Sequence, residues 1–133
     1  MPRVLIIDDD DSVCIAIKAV LLKHDCVAVV ADRGQLGLWL FSESHFDVVM
    51  VDIFMPGMDG LEAIKGFRKL APRVRIIAMS GFTSHGSPAP VPDFLGIAAT
   101  LRATYCLQKP FTITQLITAV NASLGVTSED LIA

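Results

Sequence analysis

The chain has 133 residues, 53% of them apolar but only 7% aromatic, and a formal charge of −3. This length fits one domain of ordinary size, and so high an apolar share suits strands buried on both faces. Direct nucleic-acid binding is not expected, since no basic stripe is present. No segment reaches the roughly 18 uninterrupted apolar residues of a membrane span, and Met1-Pro2-Arg3 lacks a signal-peptide pattern, so a cytoplasmic location is expected.

Val4-Leu5-Ile6-Ile7 reads as a buried strand that stops on Asp8-Asp9-Asp10-Asp11. A helix follows, with Val13, Ile17, Val20, Leu21 and His24 at three- and four-residue spacing and Asp11 or Ser12 as its cap. Cys26 to Val30 is the second strand. Asp32 then caps a helix to about Ser44 that turns Leu38 and Phe41 to the sheet and is weakened by Gly34 and Gly37.

Val48 to Asp52 is a strand ended by Pro56 and Gly57. Asp59 and Glu62 form a capping-box-like start for a third helix carrying Leu61, Ile64 and Phe67, which Ala71-Pro72 ends. Val74 to Met79 is the fourth strand, stopping at Ser80-Gly81. Residues 82–92 hold Gly86, Pro88, Pro90 and Pro92 and read as a long loop.

Residues 93–103 read as a short apolar fourth helix, whose Phe94, Leu95, Ile97 and Leu101 are either core or a surface for a partner or a second copy. Tyr105-Cys106-Leu107 is a fifth strand, ending at Lys109-Pro110. Thr112 and Gln115 box the start of a last helix with the stripe Ile113, Leu116, Ile117, Val120 and Leu124, stopped by Gly125. Strand and helix alternate throughout, which predicts an α/β fold: a doubly wound parallel sheet with helices on both faces.

Such a sheet brings its carboxyl ends to one edge, where ligands bind in folds of this kind. That edge collects Asp8, Asp9, Asp52, Ser80 and Lys109. Carboxylates crowded together raise one another's pKa unless a cation sits among them, and oxygen donors of this type suit Mg²⁺. An ammonium and a hydroxyl beside them suit a phosphoryl group in transfer, whose oxygens carry spread negative charge. Asp52 is then the nucleophile that forms an acyl phosphate. Cys14, Cys26 and Cys106 are odd in number and widely spaced, which argues against disulfides and zinc.

In order along the chain, Ile6-Ile7-Asp8-Asp9-Asp10, Val51-Asp52-Ile53-Phe54-Met55-Pro56-Gly57-Met58-Asp59-Gly60, Ile76-Ile77-Ala78-Met79-Ser80 and Leu107-Gln108-Lys109-Pro110-Phe111 resemble the receiver domains of two-component response regulators. The resemblance covers nearly the whole chain and implies a flavodoxin-like (βα)5 domain over residues 1–125 with a short tail, 126–133. It implies that Asp52 accepts phosphate from a histidine kinase or histidine phosphotransfer protein. Asp9 would be a direct Mg²⁺ ligand, Asp8 a ligand mainly through water, and the Phe54 backbone carbonyl would complete the metal site. Ser80 would close on the phosphoryl group and Lys109 pair with its oxygens, the bond before Pro110 being cis. Output would pass to a downstream protein through the fourth helix, fifth strand and fifth helix, a face that also suits a homodimer. The domain would be a signalling module and no enzyme beyond its own phosphorylation and dephosphorylation.

Two departures stand out. Cys106 takes the place of the aromatic switch residue three positions before the lysine, and the loop after Ser80 is long and proline-rich. Phe54 and Phe82 lie two residues beyond Asp52 and Ser80, positions that the resemblance implies flank the path of an attacking water, so two bulky apolar groups there would favour a long-lived phosphorylated state. A rival reading is a haloacid-dehalogenase-like phosphatase using Asp8 as nucleophile, because Asp8-x-Asp10-x-Ser12 imitates its motif. A third is a receiver-like binding module that signals without phosphorylation.

Overall fold

In parallel strands buried on both faces, alternate side chains must fill two different cores, and these strands do so. Val4, Ile6, Met50, Ile77, Met79 and Leu107 face one side, while Leu5, Ile7, Val49, Val51, Ile76 and Ala78 face the other. The structure, a computed structural model, describes residues 1–55, 60–80 and 102–125. The expected turn at 56–59, the loop at 82–92, most of the expected helix at 93–103 and the tail at 126–133 lie outside the described residues.

The strands are β1 (Arg3–Ile7), β2 (Val27–Ala31), β3 (Val48–Asp52), β4 (Ile76–Ser80) and β5 (Tyr105–Gln108). They form a single parallel sheet in the order β2-β1-β3-β4-β5. The described helices are α1 (Asp11–Lys23), α2 (Gly34–Glu43), α3 (Gly60–Leu70) and α4 (Ile113–Gly125), the last helix expected from sequence. Cys14, Ile17 and Leu21 of α1 join Leu116, Ala119 and Val120 of α4 on one face. Phe67 and Ile64 of α3 pack on the other, with Leu38 and Phe41 of α2 against them.

Local chemistry fixes the element ends, with some corrections to the sequence reading. The cap of α1 is Asp10, not Asp11 or Ser12: its carboxylate accepts from the Ser12 and Val13 N–H groups at 3.0 and 3.3 Å. The N-cap of α2 is Arg33, which makes no side-chain cap, so Asp32 lies one residue too early to cap the helix and its carboxylate meets Arg33 at 2.9 Å. The box on α4 forms as expected, Thr112 N–H donating to Gln115 at 2.8 Å and Gln115 N–H to Thr112 at 3.0 Å. Its stripe is rotated, however: Ile113 is 59% exposed and Ala119 takes the buried place. The expected fourth helix does not extend through 102–103, where Arg102 turns with φ 61°.

Gly37, which costs α2 propensity, earns its position by proximity. A Cβ there would stand 2.4 Å from the tip of the Ile7 side chain, which would have to shift to keep the helix this close to the sheet.

Asp47 ties the start of β3 to β1, accepting the Arg3 N–H at 2.7 Å and meeting His45 at 3.0 Å. Burial tends to raise its carboxyl, but these hydrogen bonds outweigh it and hold the group below its ordinary 3.8. A carboxyl lowered on folding stabilises above its unfolded value and loses that contribution as pH falls through the folded one. Asp47→Ala is expected to cost about 1–2 kcal/mol near neutral pH. In urea unfolding curves the gap between variant and parent should close as pH is lowered below 3.8.

Candidate phosphoacceptor site

The site grows out of three strand ends. β1 stops at Ile7 and β3 at Asp52 on adjacent strands, so Asp8 and Asp52 emerge side by side. β5 delivers Lys109 from further along the same edge, with its N–H anchored on the Ser80 carbonyl at 2.7 Å. Asp8 is fully buried, and Asp52 and Ser80 are each 6% exposed, the polar exceptions at the end of an otherwise apolar sheet.

Buried carboxylates must be paired or hydrogen-bonded. Lys109 Nζ lies 2.5 Å from Asp8 Oδ2 and 3.2 Å from Asp52 Oδ2, bridging the two. The second oxygen of each is held by the backbone two residues on: Asp10 N–H donates to Asp8 Oδ1 at 3.0 Å and Phe54 N–H to Asp52 Oδ1 at 2.9 Å. These Asx turns were not anticipated, although an acid at the start of a turn is their usual signal. The Cys14 thiol donates to the Asp8 carbonyl at 3.4 Å, pinning α1 beneath the site.

Burial pushes the Asp8 carboxyl up, against the opposing pull of Lys109 and the Asp10 N–H. Burial alone would pull Lys109 down, but its bond to Asp8 and the charges of Asp52 and Asp8 leave it raised and therefore firmly cationic. The Cys14 thiol is pushed up to about 12 by burial and is inert as a nucleophile at neutral pH.

Carboxylate oxygens of Asp8, Asp9 and Asp52 all come within 4.8 Å of one another, Asp9 being the exposed member. Hard oxygen donors at this spacing, one of them strained by burial, fit a small divalent cation. Ser80, at the end of β4, stands on the strand beside β3, one residue past the position that pairs with Asp52. Phe54 is 38% exposed at the rim. Cys106 and Tyr105 pack on opposite sides of the sheet, so the tyrosine does not take up the position of Cys106.

A doubly wound parallel sheet with an acid cluster and a half-buried lysine at its carboxyl edge fits a phosphoacceptor module. Residues 4–121 match the family model of the response regulator receiver domain, and the chain belongs to that family. It is 32% identical over 124 residues to the chemotaxis protein CheY of Bacillus subtilis, covering 92% of this chain and 98% of that protein. It is 36% identical over 80 residues to the regulatory protein AtoC of Escherichia coli, covering 60% of this chain but spanning only 17% of that longer relative. A receiver domain protein from Clostridium thermocellum superposes with a TM-score of 0.83 at 25% identity, with full coverage of both chains. The response regulator TrrA of Thermotoga maritima, solved in complex with Mg(2+)-BeF, superposes at 0.78 with 27% identity, covering 93% of this chain and all of that one.

Family membership displaces the phosphatase reading.

Gly60 begins α3 directly against the site. A Cβ there would lie 2.1 Å from the Asp52 carbonyl oxygen and 2.3 Å from Ile53 Cα, backbone atoms that cannot yield cheaply. Gly60→Ala is expected to destabilise by about 3 kcal/mol, read from urea unfolding, because it drives α3 away from the end of β3.

Proposed function

We propose that this chain is a phosphorylation-dependent signalling switch in which Asp52 accepts a phosphoryl group from the histidine of a kinase or phosphotransfer protein. The observation that carries this reading is the Lys109 bridge between Asp8 and Asp52 at the sheet edge. Asp52 attacks phosphorus, the bond to the donor imidazole breaks, and an acyl phosphate forms on Asp52. Lys109 exchanges its contact with Asp52 for a phosphoryl oxygen while keeping Asp8, and the Ser80 hydroxyl closes on another oxygen. Asp8, Asp9, Asp52 and the Phe54 carbonyl would hold Mg²⁺, whose charge offsets the oxygens of the phosphoryl group when it is bound. The TrrA complex supports this choice of cation.

The donor's approach is supported by a groove of about 410 Å³ beside Lys109, lined by Val13, Ala16, Ile17, Pro110 and Phe111. Ile15 and Leu22 of α1 are exposed apolar side chains two turns apart, suited to a partner helix. Output passes through the face of β5 and α4 together with the expected helix before β5. There Tyr105, Gln108, Thr114 and Gln115 line a second groove of about 510 Å³ that would take a downstream protein or a second copy. The half-buried Cys106 at the switch position keeps alive a second reading, a module whose binding is insensitive to phosphorylation. Residues 1–125 form the receiver domain and 126–133 a tail, a division supported by the family match. It is a signalling module whose only chemistry is gain and loss of its own phosphate. The cytoplasm is its site of action, supported by three free cysteines and by the lack, among the described residues, of a helix long and apolar enough to cross a membrane.

Incubation with acetyl phosphate and Mg²⁺ should place one base-labile phosphate on the peptide containing Asp52, and chelation or Asp52→Asn should abolish it. Label on Asp8 with steady turnover of phosphate esters would restore the phosphatase. Partner binding that is equal with and without the phosphodonor, and unchanged by Asp52→Asn, would favour the insensitive module.

Phe54 presents an apolar ring at the rim of the site; Phe82, its expected companion, lies outside the described residues. Phe54→Asn is expected to shorten the lifetime of the phosphorylated state roughly fivefold, about 1 kcal/mol of barrier. Loss of label over time measures it. An unaltered rate after changing both phenylalanines to polar residues would remove the water-shielding idea.

A further inference from the structure

At the amino-terminal edge of the sheet, a five-residue strand away from Asp52, or about 17 Å, lies a groove of about 560 Å³. Nothing in the phosphotransfer chemistry uses it. It runs between the turn that enters β3 and the turn that enters β4. Phe41, Ala71 and Pro72 give it an accessible apolar floor, laid over the buried Phe46 and Val74. The floor is rigid, because Phe41 stacks on Phe46 at 6.5 Å and sits edge-on to the buried Phe67 at 5.1 Å.

The charge around this floor is cationic. Arg73 and Arg75 line it, and Arg3 holds its guanidinium 5.1 Å from the Phe46 ring. Asp47 is the one carboxylate among the lining residues, and its two oxygens already accept from Arg3 N–H and meet His45. Arg73 is exposed and has no ion pair among the described residues. The turn that carries it is fixed from below, since Arg68 donates to the carbonyls of Pro72 and Val74. In a chain of net charge −3, the acids Asp8, Asp9 and Asp52 gather at one edge and these arginines at the other.

We infer that this groove binds an acidic protein segment, one that places an aromatic or aliphatic side chain against Phe41, Ala71 and Pro72 and a neighbouring carboxylate on Arg73. The charge complementarity selects an acidic occupant, and the apolar lining selects a peptide that carries an apolar side chain beside its carboxylate. The site lies clear of Asp52, so occupation of the groove and phosphorylation are sterically compatible.

The probe is a short synthetic peptide of aspartates flanking one phenylalanine and one leucine, titrated into the ¹⁵N-labelled chain at low and high salt. The expected result is saturable shifts at the amides of Phe46, Arg73 and Val74, weakening with salt. A peptide with lysines for the aspartates, or serines for the apolar pair, should leave those amides unmoved. Arg73→Glu is expected to weaken binding about tenfold by reversing a rim charge, and Arg73→Gln to weaken it less, with acetyl phosphate labelling of Asp52 intact in both. Absence of shifts, an affinity unchanged by Arg73→Glu, or equal binding of the lysine peptide overturns the inference. So does a response of these amides to anionic vesicles or duplex DNA in place of the peptide.

Discussion

The bridge that Lys109 makes between two buried carboxylates is the constraint around which the rest of the chain is arranged. Enclosing Asp8 and Asp52 at the end of an apolar sheet carries a desolvation penalty of several kcal/mol per ion, offset only by close pairing and by hydrogen bonds to the remaining lone pairs. Both conditions are met, by Nζ contacts of 2.5 and 3.2 Å and by a backbone N–H on each carboxylate. The arrangement demands that β1, β3 and β5 end together. A parallel sheet provides this, since every strand enters and leaves in the same sense.

The two cores serve that demand. Alternation along each strand sends one set of side chains to α1 and α4 and the other to α2 and α3, so the sheet is clamped from both sides and its edge is held still. Close approach does the rest: Gly37 lets α2 lie against Ile7, and Gly60 lets α3 begin against the backbone of Asp52. Thr104 and Arg68 tie the far ends of the strands, through Ile76 N–H and the carbonyls of the turn into β4. Order at the reactive edge therefore rests on packing distributed over both faces.

The strands were legible because buried parallel strands write themselves as apolar runs, and the site was legible because those runs stop on Asp8, Asp52 and Ser80. The box of Thr112 and Gln115 was legible because its geometry is local. Caps in the acidic run were not. Asp10, Asp11 and Ser12 are chemically equivalent candidates, and only the backbone path out of β1 selects Asp10. Asp32 was misread because the chain stays extended through Arg33, which becomes the N-cap one residue later. Ile113 was misplaced because a period of 3.6 residues leaves the outer members of a stripe ambiguous. The partition of roles between Lys109 and its two acids, and the groove behind Phe46, arise from loops remote in sequence and carry no local signature.

One detail of Asp52 reaches further than its position. Oδ1 is occupied by the Phe54 N–H and Oδ2 faces Lys109, so the symmetry of the carboxylate is broken before any donor arrives. The fold itself desymmetrises this carboxylate, binding one oxygen to a neutral backbone donor and turning the other toward a cation.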